Sequence, residues 1–355
     1  MPLVKTLDIL KDCEEMKYAV GAFNINGLDQ PQALIKRAEQ LRSPILMVIP
    51  GVIEKYVNFE DYVNVTARAA RDTDIPVGIH LSHGLDLEQF ERACKAGFTS
   101  VMYDGSKFPY EENVANTRIA VEIGHKYGCA VEGELGALGS SFASVSESMT
   151  DPAMARDFVE KTGVDILAVA IGNAHGFYKG TPSLDFKRLE EIRYALMAKN
   201  CYLTLHGGTG IPEDHIKRSI EIGIVKICIY TEMCHVGKRN AIKYVEEHPE
   251  YTGNYDICDL IGSIDTGFAD AAEESMRWFM SVGKIGRGNS TFAALDAPAV
   301  SKQPVSASFG GGSAAPAAAQ ADAQPIVTDP GPKYPSLPAE NNSFRATGDF
   351  WNKNV

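Results

Sequence analysis

The chain has 355 residues, 45% of them hydrophobic, a net charge of −12 and seven cysteines. That length and apolar share supply a large core, while the acidic balance and the lack of a long basic run exclude nucleic acid or an anionic membrane as the principal partner. No apolar stretch reaches membrane-spanning length, the first residues carry no signal-peptide pattern, and the cysteines include no C-x-x-C pair, so a reducing, cytoplasmic setting is expected.

Short apolar runs recur at 20–23, 45–49, 77–81, 100–103, 130–131, 166–171, 202–205 and 225–229. Runs of this kind, separated by stretches long enough for a helix, predict buried parallel strands with crossover helices. Between them, Leu87, Phe90 and Cys94 fall on one face of a charged segment, and 184–196 repeats apolar residues at helical spacing. Pro152 and Pro212 stand where the first turn of a helix accepts proline. The pattern predicts an α/β fold, a (β/α)8 TIM barrel spanning 1–293. An open doubly wound sheet would gather its ligand groups at one switch point, whereas here they follow nearly every run: Asn24, Gly51, His83, Asp104, Glu134, His175, His206 and Thr231.

From about residue 294 the composition turns to Ala, Pro, Ser and Gly, which cannot bury enough apolar area to offset chain entropy. A flexible linker is expected over 294–332. The segment 333–355, with Phe344, Phe350 and Trp351, is expected either as a loose terminus or as a peptide that docks on a neighbouring subunit or partner.

His83, His175 and His206 each lie just past a predicted strand, with a glycine following. Three imidazoles converging on one barrel mouth leave a fourth position open, as a catalytic zinc site requires. Gly207-Gly208-Thr209-Gly210, ahead of Pro212, offers free backbone N–H groups before a helix. Together with Gly176, Lys179 and Thr231 on adjacent strand ends, it points to a phosphorylated ligand. The remaining histidines considered, His125, His215, His235 and His248, fall in predicted helices and are expected to be solvated.

The motifs Gly21-Ala22-Phe23-Asn24-Ile25-Asn26, Gly97 through Ser106, Glu132-Gly133-Glu134-Leu135-Gly136, Gly163-Val164-Asp165 and Leu205 through Pro212 occur in this order. Over about four-fifths of its length the chain resembles the class II, zinc-dependent ketose-bisphosphate aldolases. The resemblance implies Zn2+ held by His83, His175 and His206, with Asp104 and Glu134 at acidic positions serving a second or alternate metal position. It places Gly176, Lys179, Gly207, Gly208, Thr209 and Thr231 around the phosphate of a dihydroxyacetone-phosphate-like half, and Asn24 beside the substrate. It further implies zinc as a Lewis acid stabilising the enediolate left by carbon–carbon cleavage. A homo-oligomer, dimer or tetramer, is implied as well.

Departures fall on groups that move protons. Where the family has His-Leu-Asp-His-Gly, this chain has His80-Leu81-Ser82-His83-Gly84, and an unaided serine hydroxyl is too weak a base near neutral pH. In the loop after Glu134, Glu147 is the candidate proton carrier. The family's substrate-contacting Asn on the last strand is Cys228, and Met47-Val48-Ile49 replaces a Gln-x-Ser pattern, which predicts an apolar wall. These readings combine into a zinc-dependent lyase for a phosphorylated ketose or related substrate, not standard fructose 1,6-bisphosphate. The alternative is a non-catalytic homologue that binds zinc and a phosphorylated ligand in a scaffold or regulatory role.

Overall fold

The computed structural model describes residues 3–136, 149–250, 256–286 and 292–295. Its strands are β1 (Val20–Asn24), β2 (Ile45–Pro50), β3 (Val77–Gly84), β4 (Ser100–Tyr103), β5 (Ala130–Leu135), β6 (Ile166–Val169), β7 (Tyr202–Leu205) and β8 (Ile224–Ile229). All pair in parallel and in sequence order, and β1 closes on β8 with Ala22 opposite Cys228. The (β/α)8 barrel expected from the apolar runs is the fold.

Helix α1 (Thr6–Met16) precedes the barrel. The crossovers are α2 (Gln30–Leu41), α3 (Phe59–Arg71), α4 (Leu87–Ala96), α5 (Tyr110–Lys126), α6 (Pro152–Thr162), α7 (Phe186–Ala195) and α8 (Glu213–Ile222). After β8 come α9 (Thr231–Glu247) and α10 (Asp256–Trp278), and α10 packs on α9, α2 and β1. Local chemistry fixes the helix ends. Asp86 caps α4 by accepting from the Gln89 N–H, and Asp151 caps α6, whose first residue is Pro152, by accepting from Ala153 and Met154.

Two apolar layers result. The outer one lies between strands and helices and includes Phe23, Met47, Ile49, Ile79 and Leu81. The inner one fills the barrel with Val20, Ala22, Leu46, Val48 and Ile166 and continues into Ile9, Leu10 and Cys13 of α1, which closes the amino-terminal end. The strand period of two therefore corrects one expectation: Met47 and Ile49 face the helices, and the residues of β2 that face the barrel interior are Leu46 and Val48.

Two boundaries also move. β5 continues to Leu135, although its apolar run ends at Val131, because Glu132 and Glu134 are buried strand residues. Ala294, read as the start of the linker, still forms an antiparallel bridge to Val4, and the Leu295 N–H donates to the Leu3 carbonyl at 2.8 Å. Residues 296–355, with the rest of the expected linker and C-terminal segment, lie outside the described residues. No helix among the described residues is long and apolar enough to cross a membrane.

Candidate active site

The predicted histidines meet at the carboxyl end of the barrel. Ligand nitrogens of His83, His175 and His206 lie within 4.8 Å of one another. Their rings stand edge to face, with centroids 5.1 Å apart for His83 with each of the other two and 6.1 Å for His175 with His206. His83 also belongs to a second group with Asp104 and Glu134 whose ligand atoms satisfy the same 4.8 Å limit. The two groups share one imidazole, so the implied principal and alternate metal positions would be neighbours.

Backbone geometry aims these rings. His83 has φ +48°, a left-handed conformation uncommon outside glycine, where the β3–β4 register shifts between Leu81 and Gly84. Its carbonyl approaches Gly51, where a Cβ would sit 2.8 Å away, so the residue that follows β2 must lack a side chain. Gly207, at φ +65°, is under the same constraint: a Cβ there would lie 2.2 Å from the Ala174 carbonyl oxygen. Asn173 joins the two histidine-bearing loops by donating to the His206 carbonyl at 3.0 Å. Tyr178 does the same further out, its hydroxyl accepting from the Ala174 N–H at 2.8 Å and donating to the Gly207 carbonyl at 3.0 Å.

Carboxylates hold two of the rings. Asp104 Oδ2 is 2.8 Å from His83 Nδ1, and Asp104 Oδ1 accepts from the Ser106 hydroxyl and N–H at 2.7 and 3.1 Å. Burial opposes the charge on Asp104, but these hydrogen bonds and His83 hold it well below the usual carboxylate range. Glu132 Oε1 is 2.6 Å from His206 Nε2. With those nitrogens occupied, Nε2 of His83 and Nδ1 of His206 remain for a metal. His175 reaches the surface, yet desolvation and then the neighbouring His83 and His206 push it down to about 3, which leaves a neutral ring. Three imidazoles with a carboxylate behind two of them are the donor set that zinc takes, and the fit is good.

The phosphate candidates come from three consecutive strand ends, β6, β7 and β8. Gly176 and Lys179 lie on the loop after β6, Gly207, Gly208 and Thr209 on the loop after β7, and Thr231 opens α9. Thr209 is buried and its hydroxyl accepts from the Glu232 N–H at 3.2 Å, which docks the glycine loop on the first turn of α9. A helix N-terminus beside glycine-rich backbone at this end of a barrel suits an anion. Asn24 is buried at the end of β1, and Ser82 is buried near the end of β3, next to His83. Cys228 is buried with Sγ 3.7 Å from His206 Nε2, so the thiol lies on the Glu132 side of that ring. Glu147 lies outside the described residues.

Glu132, His80 and Lys226 were missed as site residues. His80 and Lys226 sit inside predicted strands, where a polar residue reads as an interruption, although these two polar groups within otherwise apolar runs were themselves a signal, and Glu132 lies just past the run that ends at Val131. His125, His215 and His235 occupy α5, α8 and α9, and His248 follows α9; none belongs to the groups that could hold a metal, and His215, expected to be solvated, is half-buried.

The family model described as "Fructose-bisphosphate aldolase class-II" matches residues 4–284. A probable fructose-bisphosphate aldolase of Bacillus subtilis is 42% identical over 238 residues, covering 65% of this chain and 82% of that protein. A fructose-bisphosphate aldolase of Staphylococcus aureus matches to the same extent, with 42% identity and the same coverage of 65% and 82%. Among solved structures, the YdjI aldolase of Escherichia coli superimposes with a TM-score of 0.70 at 33% identity, over 80% of this chain and 100% of that one. On the fold, the order of its motifs and these relatives, the chain belongs to the class II fructose-bisphosphate aldolase family.

Proposed function

We propose that the protein is a zinc-dependent aldehyde-lyase that cleaves or forms a carbon–carbon bond in a phosphorylated ketose or related phosphorylated substrate other than fructose 1,6-bisphosphate. The observation that carries this reading is the convergence of His83, His175 and His206 within 4.8 Å, beside glycine-rich loops at the barrel mouth. His83, His175 and His206 would hold the zinc, with Asp104 and Glu134 offering the alternate position. When bound, zinc supplies Lewis-acid polarisation of the ketose carbonyl and electrostatic stabilisation of the enediolate.

The chain's own residues do the rest. Asp104 and Glu132 fix the ring orientations of His83 and His206. Gly176, Gly207, Gly208, Thr209 and Thr231 orient the phosphate through backbone and hydroxyl donors, with the Lys179 ammonium adding charge, so the dihydroxyacetone-phosphate-like half enters in one pose. Ser82 can donate to or accept from a substrate hydroxyl but cannot take its proton unaided. Proton transfer therefore falls to a carboxylate, Glu134 on the same rim or Glu147, which follows β5 in sequence. Cys228, standing where the family has a substrate-contacting Asn, favours an aldehyde half less polar than glyceraldehyde phosphate. The reading includes a cytoplasmic homo-oligomer.

The half-reaction tests this without knowledge of the aldehyde. In D2O, the zinc-loaded protein is expected to exchange a carbon-bound hydrogen of dihydroxyacetone phosphate for deuterium, as followed by proton NMR, and a chelator is expected to stop it. The loss of the family's acid at Ser82 favours a second reading, a homologue that binds zinc and a phosphorylated ligand without turnover. Saturable binding of dihydroxyacetone phosphate with no exchange would select that reading.

A further inference from the structure

Beneath the three histidines the barrel interior contains a polar chain in a place where burial disfavours it. Glu132, Lys226 and His80 are each 0% exposed. Alternation along the strands puts them one layer below Glu134, Cys228 and Ser82 respectively, the residues two positions on toward the mouth. Lys226 Nζ donates to Glu132 Oε2 in a short contact and to His80 Nε2 at 3.0 Å. His80 therefore carries its proton on Nδ1, which donates to the Ser100 hydroxyl at 2.8 Å. Ser100 in turn accepts from the Thr6 hydroxyl of α1 at 3.0 Å. At its upper end the chain finishes on His206, whose Nε2–H is 2.6 Å from Glu132 Oε1.

A buried ion pair is a weak source of stability, since well-packed apolar residues of similar volume are often neutral or better. This one contacts a candidate metal ligand directly. We infer that Glu132 and Lys226 are positioning residues for the metal centre: Glu132 holds the proton of His206 on Nε2, so that Nδ1 presents its lone pair to the metal, and Lys226 anchors the carboxylate in the lower layer. Without Lys226 the Glu132 carboxylate would be free to rotate away from His206. His80, Ser100 and Thr6 brace the ammonium from below, so the orientation of one metal ligand depends on contacts that run to α1 at the far end of the barrel. The inference rests on the reading that the three histidines hold zinc.

The test uses the full-length protein and measures zinc affinity by competition with a chromophoric chelator, alongside thermal melting of the metal-free form. The parent chain is expected to bind zinc tightly. Glu132→Leu combined with Lys226→Met removes the pair without leaving either charge alone. It is expected to weaken zinc binding about 10- to 100-fold and to shift the visible bands of the cobalt-loaded protein, while metal-free melting stays at or above that of the parent. Glu132→Asp keeps the charge facing Lys226 but withdraws it from His206, and a similar loss of affinity is expected; this variant decides the matter if the double variant does not fold. Zinc affinity within about twofold of the parent in a folded variant would overturn the positioning role. Failure of the parent itself to bind zinc would sink the reading of the site and the positioning role with it.

Discussion

At the level of single side chains, the site depends on which nitrogen each histidine offers. Asp104 and Glu132 occupy one nitrogen of His83 and one of His206, and His175 is held neutral by desolvation and its two neighbours. His83 is the residue common to both possible metal groups. His83→Ala is accordingly expected to lower zinc affinity by more than about 100-fold and to abolish zinc-dependent turnover, checked by metal analysis after gel filtration and by the exchange assay. Ser82 tests how far the pocket has been rebuilt. Because Cys228 changes together with it, Ser82→Asp alone is expected to give no cleavage of fructose 1,6-bisphosphate and to reduce turnover of the native substrate. Recovery of fructose-bisphosphate cleavage would mean instead that Ser82 is a simple loss in an otherwise standard site.

At the level of elements, loops stay in place because backbone passes very close to backbone. Gly207→Ala would require a left-handed alanine with its Cβ 2.2 Å from the Ala174 carbonyl oxygen. A loss of about 3 kcal/mol is expected, together with weaker phosphate-ligand binding, measurable by denaturant melts and titration calorimetry. The packing of α10 on α2 brings a different effect. Asp265 is pushed up to about 6, first by burial and then by the nearby Asp29, from an ordinary value of 3.8. Lys36 and Arg37 line the same groove, but Arg37 is already paired with Asp270 and Glu273 at 2.9 and 2.6 Å. A carboxyl raised in the folded state binds its proton more tightly there than in the unfolded chain. Its contribution is thus full below pH 4 and is lost as the pH rises through 6. Since Asp265 is only half-buried, solvent screening cuts the effect to on the order of 1 kcal/mol. Asp265→Asn is expected to raise stability at pH 7 by that amount and to flatten the dependence between pH 4 and 6, as read from urea melts across pH.

At the level of the whole molecule, the barrel closes between β1 and β8, and its last described contact is the Val4–Ala294 bridge. Removing residues after Leu295 is expected to leave the melting temperature and zinc affinity unchanged; a large drop in either would show that the barrel depends on that segment. The architecture was legible in the sequence because parallel strands buried on both faces read as continuous apolar runs, and the ligand-bearing residues follow those runs at one end. The three histidines and the glycine loop were legible for the same reason. The layer beneath them was not. Glu132, Lys226 and His80 satisfy one another across β5, β8 and β3, and pairing between strands distant in sequence leaves no periodic trace. Nor did the apolar run at 45–49 reveal which of its residues face inward, so the pocket wall was assigned to Met47 and Ile49, whose side chains face the helices. The central claim is best tested by incubating the protein with a panel of phosphorylated ketoses and deoxyketoses and following triose phosphate release in a coupled assay, with and without chelator. Zinc-dependent release from a panel member other than fructose 1,6-bisphosphate is the predicted result. No release from any member, despite bound zinc and saturable ligand binding, would contradict it.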